Sequence, residues 1–243
     1  MKIIKVKDYE ELSKKACEVF VQKLQTIANP VLGLATGSTP EGLYECLIGQ
    51  YKQNKVSFKN ATTFNLDEYI GLPNDHDQSY HYFMNEKLFK HIDLPKERAH
   101  VPSGVVADLE KECHDYEQAI KEQGPIDLQL LGMGPNGHIA FNEPGTSFES
   151  RTAIYDLTES TRNANARFFD SIDEVPTKAI SMGIGTIMDA KEILFIVSGE
   201  SKAEILAKVL EGKADPSIPA TVLHLHDNVT VIADEAALSK YKG

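Results

Sequence analysis

Short apolar, β-branched runs alternate with longer amphipathic segments along the whole chain, and this alternation constrains the fold more than any other feature. Strands are predicted at residues 2–6, 31–35, 61–65, 99–101, 127–131, 192–198, 221–225 and 229–233, with 151–157 extended. Helices are predicted from Asp8 onward, at 38–53, 79–91, 107–123, 176–188 and 201–211, and in the tail. Strands alternating with helices form parallel sheets covered on both faces. We therefore predict one α/β domain over residues 1–243 with a mostly parallel sheet.

Charge and composition exclude several classes of protein. The chain has 25 Lys and Arg against 36 Asp and Glu, a formal net charge of −11, which argues against nucleic-acid binding. Its longest apolar runs span about five residues, whereas a membrane helix needs about 20. Three cysteines without a CxxC motif predict free thiols in a reducing compartment. With no apolar leader at the start, we expect a cytoplasmic protein with neither a nucleic-acid nor a membrane partner.

Ligands of parallel sheets bind beyond the carboxyl ends of the strands, so the turns after the strands are the candidate sites. The first such turn contains Gly37, Ser38 and Thr39, which follow strand 31–35. Free N–H groups and the positive end of the next helix make this an anion site. Ser38 and Glu41 form a capping-box pattern. The alternative is an ordinary capped turn without a ligand.

Acids and an imidazole follow two further strands. Asp67 and Glu68 come after strand 61–65, where a partly desolvated carboxylate is suited to general base catalysis. The alternative is a solvent-facing loop pair, or a pair that caps the next turn. His138 and Glu143 lie in a loop rich in glycine and proline after strand 127–131. A carboxylate beside a histidine orients the imidazole and makes it more basic, which suits proton transfer to a ring oxygen. The alternative is a structural loop histidine.

Two kinds of cation are candidates for binding the anion. Arg162 and Arg167 lie in a polar stretch, and Lys202 follows strand 192–198. Arginine binds phosphate oxygens through two parallel hydrogen bonds and lysine as a point charge, although surface lysines and arginines are common. No metal site is predicted, because His224 and His226 show no recognised ligand spacing.

Taken together, these motifs resemble the glucosamine-6-phosphate deaminase family. The resemblance extends from about residue 30 to 235 and is most specific at residues 65–72 (NLDEYIGL) and 137–144 (GHIAFNEP). The 6-phosphogluconolactonases share the Thr-Gly-Ser-Thr-Pro turn and the Gly-His segment. They are not expected to carry the Phe-Asn-Glu-Pro segment, so the deaminase family is favoured.

The resemblance implies a Rossmann-like sheet and an enzyme that converts glucosamine 6-phosphate and water to fructose 6-phosphate and ammonia, with neither metal nor organic cofactor. Asp67 matches the base that moves the C2 proton to C1. His138 matches the group that opens the sugar ring, and Glu143 matches the carboxylate that tunes it. Asn136 stands where many members have Asp; because it is uncharged, it stabilises an imidazolium less. This departure affects the expected pH optimum and leaves the reaction unchanged.

The resemblance also implies how the sugar phosphate is held. Ser38, Thr39, Arg167 and Lys202 match the phosphate clamp, with Gly37 in the same turn. Arg167 belongs to a segment, about residues 150–185, that we expect to serve as an active-site lid.

Longer members of the family are activated by N-acetylglucosamine 6-phosphate at a site between subunits that uses an Arg and a Lys. Ala153 and Tyr155 stand at those two positions here, and Asp156 adds a negative charge. We therefore expect a short, non-allosteric form that is a monomer or a small homo-oligomer. Two alternatives remain: a phosphosugar lactonase, and a phosphosugar sensor, which would need a helix-turn-helix segment.

Overall fold

Ten strands and seven α-helices are found in the part of the chain that the structure describes. The computed structural model describes residues 1–243, apart from the side chains of Ala164 and Phe168. The strands are β1 (Lys2–Val6), β2 (Val31–Leu34), β3 (Thr62–Asn65), β4 (Asp67–Tyr69), β5 (Ala99–His100), β6 (Leu128–Leu131), β7 (Ala153–Asp156), β8 (Lys178–Ser181), β9 (Ile193–Val197) and β10 (Val229–Asp234). The helices are α1 (Tyr9–Thr26), α2 (Glu41–Lys52), α3 (Tyr80–Lys87), α4 (Leu109–Gln123), α5 (Glu159–Asn165), α6 (Ile184–Met188) and α7 (Ala203–Glu211).

A seven-stranded parallel sheet forms the centre of the molecule, in the order β1-β10-β9-β6-β2-β3-β5. All residues of β2, β6 and β9 are buried. Since successive side chains of a strand point to opposite faces, both faces of the sheet are covered. The predicted α/β class with a mostly parallel sheet is confirmed. None of the helices that the structure describes is long and apolar enough to cross a membrane.

A second, antiparallel sheet in the order β4-β8-β7 lies beside the first. The sequence did not indicate β4, which is separated from β3 by the single residue Leu66. The predicted helix at 176–188 is wrong, since this segment forms β8 followed by the short α6. Strand β8 is held between two antiparallel neighbours, and this tertiary pairing overrides the local helix signal at Pro176.

Three further local predictions are corrected. Residues 221–225 belong to a 3-10 helix, Pro219–Leu225, because β10 already occupies the place beside β9 and the segment packs against α6 and α7 instead. The predicted capping box at the start of α2 does not form. Pro40 precedes this helix without a side-chain cap, and the Glu41 carboxylate binds Lys87 Nζ at 2.7 Å. The tail forms turns in place of a helix.

The prediction of free thiols holds only for Cys113, which is unpaired and buried. Cys17 of α1 and Cys46 of α2 form a disulfide, with their Cα atoms 6.1 Å apart. These cysteines are 29 residues apart in sequence, and only the side-by-side packing of the two helices brings them together.

Candidate active site

The turns that follow β9, β6, β2 and β3 surround a cavity of about 580 Å³. These strands are consecutive neighbours in the sheet, so their carboxyl ends meet along one edge. Most of the residues predicted from sequence line this cavity: Gly37, Ser38, Thr39, Asp67, His138, Arg167 and Lys202. Asn136 and Glu143 lie outside the lining and contact His138 from the side.

The turn after β2 is shaped by a glycine and fastened by a tyrosine. Gly37 has a φ of 95°, in the left-handed region that favours glycine. Tyr9, the first residue of α1, donates its hydroxyl proton to the Ser38 carbonyl at 3.0 Å and accepts the Gly42 N–H at 2.9 Å. The turn is therefore held from outside the cavity while Ser38 and Thr39 line it.

Two cations, Lys202 and Arg167, also line the cavity. Lys202 Nζ donates to the Met133 carbonyl at 2.8 Å. Burial lowers the pKa of Lys202, and the positive charge of Arg167 lowers it further. Two cations this close are stabilised by a shared anion, which makes the cavity suitable for a phosphate.

The two residues of the acidic pair, Asp67 and Glu68, have different roles in the structure. Asp67 is only 7% exposed and lines the cavity. Burial, with a smaller contribution from Glu68, raises the pKa of Asp67 to about 8. Glu68 is fully buried and accepts the backbone N–H groups of Tyr80 and His81, at 3.0 and 2.9 Å, where α3 begins. Asp67 is therefore placed for chemistry, whereas Glu68 caps a helix.

His138 packs against the backbone of Gly134, where an added Cβ would lie 2.0 Å from the imidazole Cε1. Its Nδ1 lies 3.7 Å from Glu143 Oε2 and has no hydrogen-bond partner among the described residues. Burial lowers the pKa of His138, Glu143 opposes this shift and Lys202 adds to it. The carboxylate therefore makes the imidazole more basic, as expected, but desolvation outweighs it and the net shift of the His138 pKa is downward.

Glu143 joins the His138 loop to α5. Its Oε2 accepts from Asn136 Nδ2 at 2.8 Å, and Asn136 Oδ1 accepts the His138 backbone N–H at 3.1 Å. Its Oε1 accepts from the Thr161 hydroxyl and lies 3.2 Å from Thr158 Oγ1. Sequence reasoning missed both threonines. The available signal was only that Thr158 precedes a helix, where it accepts the Thr161 N–H as an N-cap.

Aromatic rings, also not predicted, form an apolar wall of the cavity. Tyr69 lies 4.9 Å from Tyr80, 5.7 Å from Phe141 and 6.0 Å from Phe169, measured between ring centroids. Asn165 Nδ2, just before the Arg167 turn, donates to the Tyr69 hydroxyl at 2.9 Å. The aromatic wall shields one side of the site from water, and the hydrogen bond from Asn165 to Tyr69 connects the wall to α5.

Histidines outside the cavity have structural roles. His224 Nε2 and His226 Nε2 contact the backbone carbonyls of Val209 and Ala190 at 2.6 and 2.7 Å. Within the part of the chain that the structure describes, no group of three or more His, Cys, Asp or Glu side chains is arranged to hold a metal ion.

Known proteins match this chain over nearly its whole length. Residues 7–232 match the family model described as glucosamine-6-phosphate isomerases/6-phosphogluconolactonase. A protein from Oceanobacillus iheyensis named glucosamine-6-phosphate deaminase is 56% identical over 98% of this chain and 95% of its own length. The glucosamine-6-phosphate deaminase 1 of Bacillus subtilis is 52% identical over 98% of this chain and 99% of its own length.

Solved structures agree with these sequence matches. One described as a monomeric glucosamine-6-phosphate deaminase superposes with a TM-score of 0.97 at 51% identity, covering 99% of this chain and 100% of its own. The 6-phosphogluconolactonase of Thermotoga maritima has a TM-score of 0.75 at 24% identity, covering 96% and 98% of the two chains. At 24% identity, the similarity to the 6-phosphogluconolactonase shows only a common fold.

Replacing Asp67 with Asn is expected to stabilise the fold more at pH 9 than at pH 5. The pKa of Asp67 is about 8 in the folded chain and about 3.9 when unfolded, so its ionisation removes folding stability as pH rises between these values. Asparagine does not titrate. The gain in melting temperature over the parent should therefore widen toward pH 9 by at least about 2 °C, the effect of ~1 kcal/mol in a domain of this size.

Thermal unfolding of both proteins between pH 5 and 9 measures this difference. Asp77→Asn is the matched control, since Asp77 is an exposed carboxylate at the same cavity and should show no widening. A difference in melting temperature that stays constant with pH would contradict the raised pKa.

Proposed function

The chain belongs to the glucosamine-6-phosphate isomerase/6-phosphogluconolactonase family, and we propose that it is a glucosamine-6-phosphate deaminase, which converts glucosamine 6-phosphate and water to fructose 6-phosphate and ammonia. The observation that carries the proposal is a buried carboxylate, Asp67, in one cavity with an imidazole and two cations. An aldose–ketose conversion needs a base for a carbon-bound proton, a group that moves protons between oxygens, and an anchor for phosphate.

The phosphate is anchored by one turn and two cations. The turn containing Gly37, Ser38 and Thr39 supplies hydroxyl and backbone donors, and Arg167 and Lys202 supply charge. Binding the dianion relieves the repulsion between the two cations and places C1 and C2 of the sugar deeper in the cavity, toward Asp67 and His138.

Ring opening is assigned to His138. The imidazole removes the proton of the C1 hydroxyl and delivers it to the ring oxygen, which leaves an open-chain aldehyde. A lowered pKa keeps His138 neutral and able to accept this proton. Glu143 stabilises the imidazolium that forms, and Asn136 keeps Glu143 in place.

Isomerisation is assigned to Asp67. Its carboxylate removes the C2 proton while the ammonium group of the substrate gives a proton to the C1 oxygen, which gives an enolamine. The carboxylic acid then returns the proton to C1, which gives a protonated imine at C2. Water adds to this imine, ammonia leaves, and fructose 6-phosphate remains. The ammonium group of the substrate lowers the pKa of Asp67 by supplying the positive charge that the buried carboxylate needs. An amino sugar therefore activates its own base.

A lactonase is the alternative activity. Its base must activate water, and its substrate brings no cation to Asp67. The structural likeness to a lactonase at 24% identity supports only a common fold, whereas relatives above 50% identity are named deaminases.

The remaining features of the proposal concern motion, assembly and location. Strands β7 and β8 are paired in a sheet, so within residues 150–185 we assign the lid to α5 and the turn that carries Arg167. A monomer is supported by the solved relative that is described as monomeric. A cytoplasmic location stays a prediction from composition.

Release of ammonia from glucosamine 6-phosphate tests the proposed reaction. Asp67→Asn should retain the fold and most substrate affinity and lose turnover by about 10²–10⁴-fold, as expected for removal of a general base. Asp77→Asn should remain active. Turnover of 6-phosphogluconolactone without release of ammonia from the amino sugar would identify the lactonase instead.

The phosphate clamp makes a separate prediction for KM. Lys202→Met and Arg167→Met should each raise KM by about tenfold or more and change kcat less, because a contact kept throughout the reaction contributes equally to both states. Lys208→Met is the matched control, since Lys208 is an exposed lysine on α7. Steady-state kinetics with unchanged KM in both clamp variants would refute the assignment.

Regulation by N-acetylglucosamine 6-phosphate is not expected. At the positions of the two activator-binding cations, Ala153 and Tyr155 lie in β7, and the Tyr155 hydroxyl binds the Arg151 carbonyl at 3.3 Å. Asp156 adds a negative charge beside them. Initial rates should follow a hyperbola with or without the acetylated sugar phosphate. Sigmoidal kinetics that become hyperbolic when it is added would contradict this prediction.

A further inference from the structure

The two oxygens of the Glu143 carboxylate have different partners. Oε2 faces the His138 loop, where it accepts from Asn136 and stands 3.7 Å from the imidazole. Oε1 faces α5, where it accepts from the Thr161 hydroxyl. Thr161 is 3% exposed and also lines the cavity. The Thr161 hydroxyl oxygen accepts from the Thr158 hydroxyl at 3.1 Å, and its own proton is donated to the carboxylate.

Glu143 Oε2 and His138 Nδ1 stand slightly too far apart for a hydrogen bond. A direct N–H···O bond would need about 2.9 Å, so Oε2 would have to move by only about 1 Å. Nδ1 is buried and has no hydrogen-bond partner among the described residues. The other charged groups near this imidazole are Lys202, which faces it from the turn after β9, and Asp67, which lines the same cavity at β4.

We propose that Thr161 is a positioning residue whose hydroxyl holds the Glu143 carboxylate away from His138. A hydrogen bond from a hydroxyl to a carboxylate is stronger than one between neutral groups, and this one is shielded from water. While it is made, the carboxylate cannot close on Nδ1, and the imidazole remains neutral. The role of this hydrogen bond in ring opening rests on the proposed function. The Thr161–Glu143 contact is observed independently of that function.

Removing the hydroxyl separates this role from a packing role. In Thr161→Val, a variant of nearly equal size, Oε1 loses its shorter bond and keeps only the 3.2 Å bond from the Thr158 hydroxyl, so the carboxylate gains by closing on the imidazole. The His138 pKa should then rise by about 1 unit, the size expected for a new charge-assisted contact. Thr161→Ser keeps the hydroxyl and should leave the pKa of His138 where it is in the parent.

The pKa of His138 is read by NMR titration of the imidazole signals in the ligand-free protein, with His138→Gln identifying the resonance. Thr146→Val is the matched control, because the Thr146 hydroxyl donates to the Glu143 backbone carbonyl at 2.7 Å and not to the carboxylate. Thr161→Ala provides a second hydroxyl-free variant in case valine disturbs the packing of α5.

A rise of at least 0.5 unit in Thr161→Val or Thr161→Ala, absent from Thr161→Ser and Thr146→Val, supports the proposal. An unchanged or lowered His138 pKa in both hydroxyl-free variants overturns it, and so does an equal rise in Thr161→Ser. No substrate is present in this titration, so the outcome is independent of whether the ammonia assay supports the proposed activity.

Discussion

Parallel pairing of β9, β6, β2 and β3 is the constraint on which the site depends. Because these strands run in one direction and lie side by side, their carboxyl ends bring together turns that are far apart in sequence, from Gly37 to Lys202. The departure of β4 from the main sheet completes the arrangement. One residue after β3, the chain enters the antiparallel sheet, so Asp67 lines the cavity while Glu68 caps α3.

Burial sets the protonation of the site before any ligand enters. It raises the pKa of Asp67 and lowers those of His138 and Lys202, so each shift favours the neutral form. A substrate with a phosphate and an ammonium group brings the opposite charges to the clamp and to Asp67. The low dielectric that penalises an unpaired charge in the cavity strengthens the phosphate–cation and ammonium–carboxylate pairs once they form. In the proposed function, selectivity for an amino-sugar phosphate rests on this complementarity.

Glu143 shows how a single carboxylate can connect two parts of a site. Asn136 and the His138 loop hold one oxygen, and α5 holds the other. Asn136 contributes a neutral hydrogen bond where a second acid would have raised the imidazole pKa further. The same helix is fastened to the aromatic wall through Asn165 and leads into the turn that carries Arg167. Its placement therefore affects the imidazole, the wall and the phosphate clamp together.

The sequence alone determined the features that local patterns control. Apolar periodicity predicted most elements of the main sheet, and the motifs around Ser38, Asp67 and His138 predicted which turns would form the site. Only the tertiary structure decided what depends on distant neighbours. The antiparallel sheet, the disulfide between α1 and α2, and the Thr161–Glu143 contact each join segments from 18 to more than 100 residues apart. The direction of the His138 pKa shift belongs to this second group, because desolvation depends on every group packed around the imidazole, whereas the sequence showed only its neighbouring carboxylate.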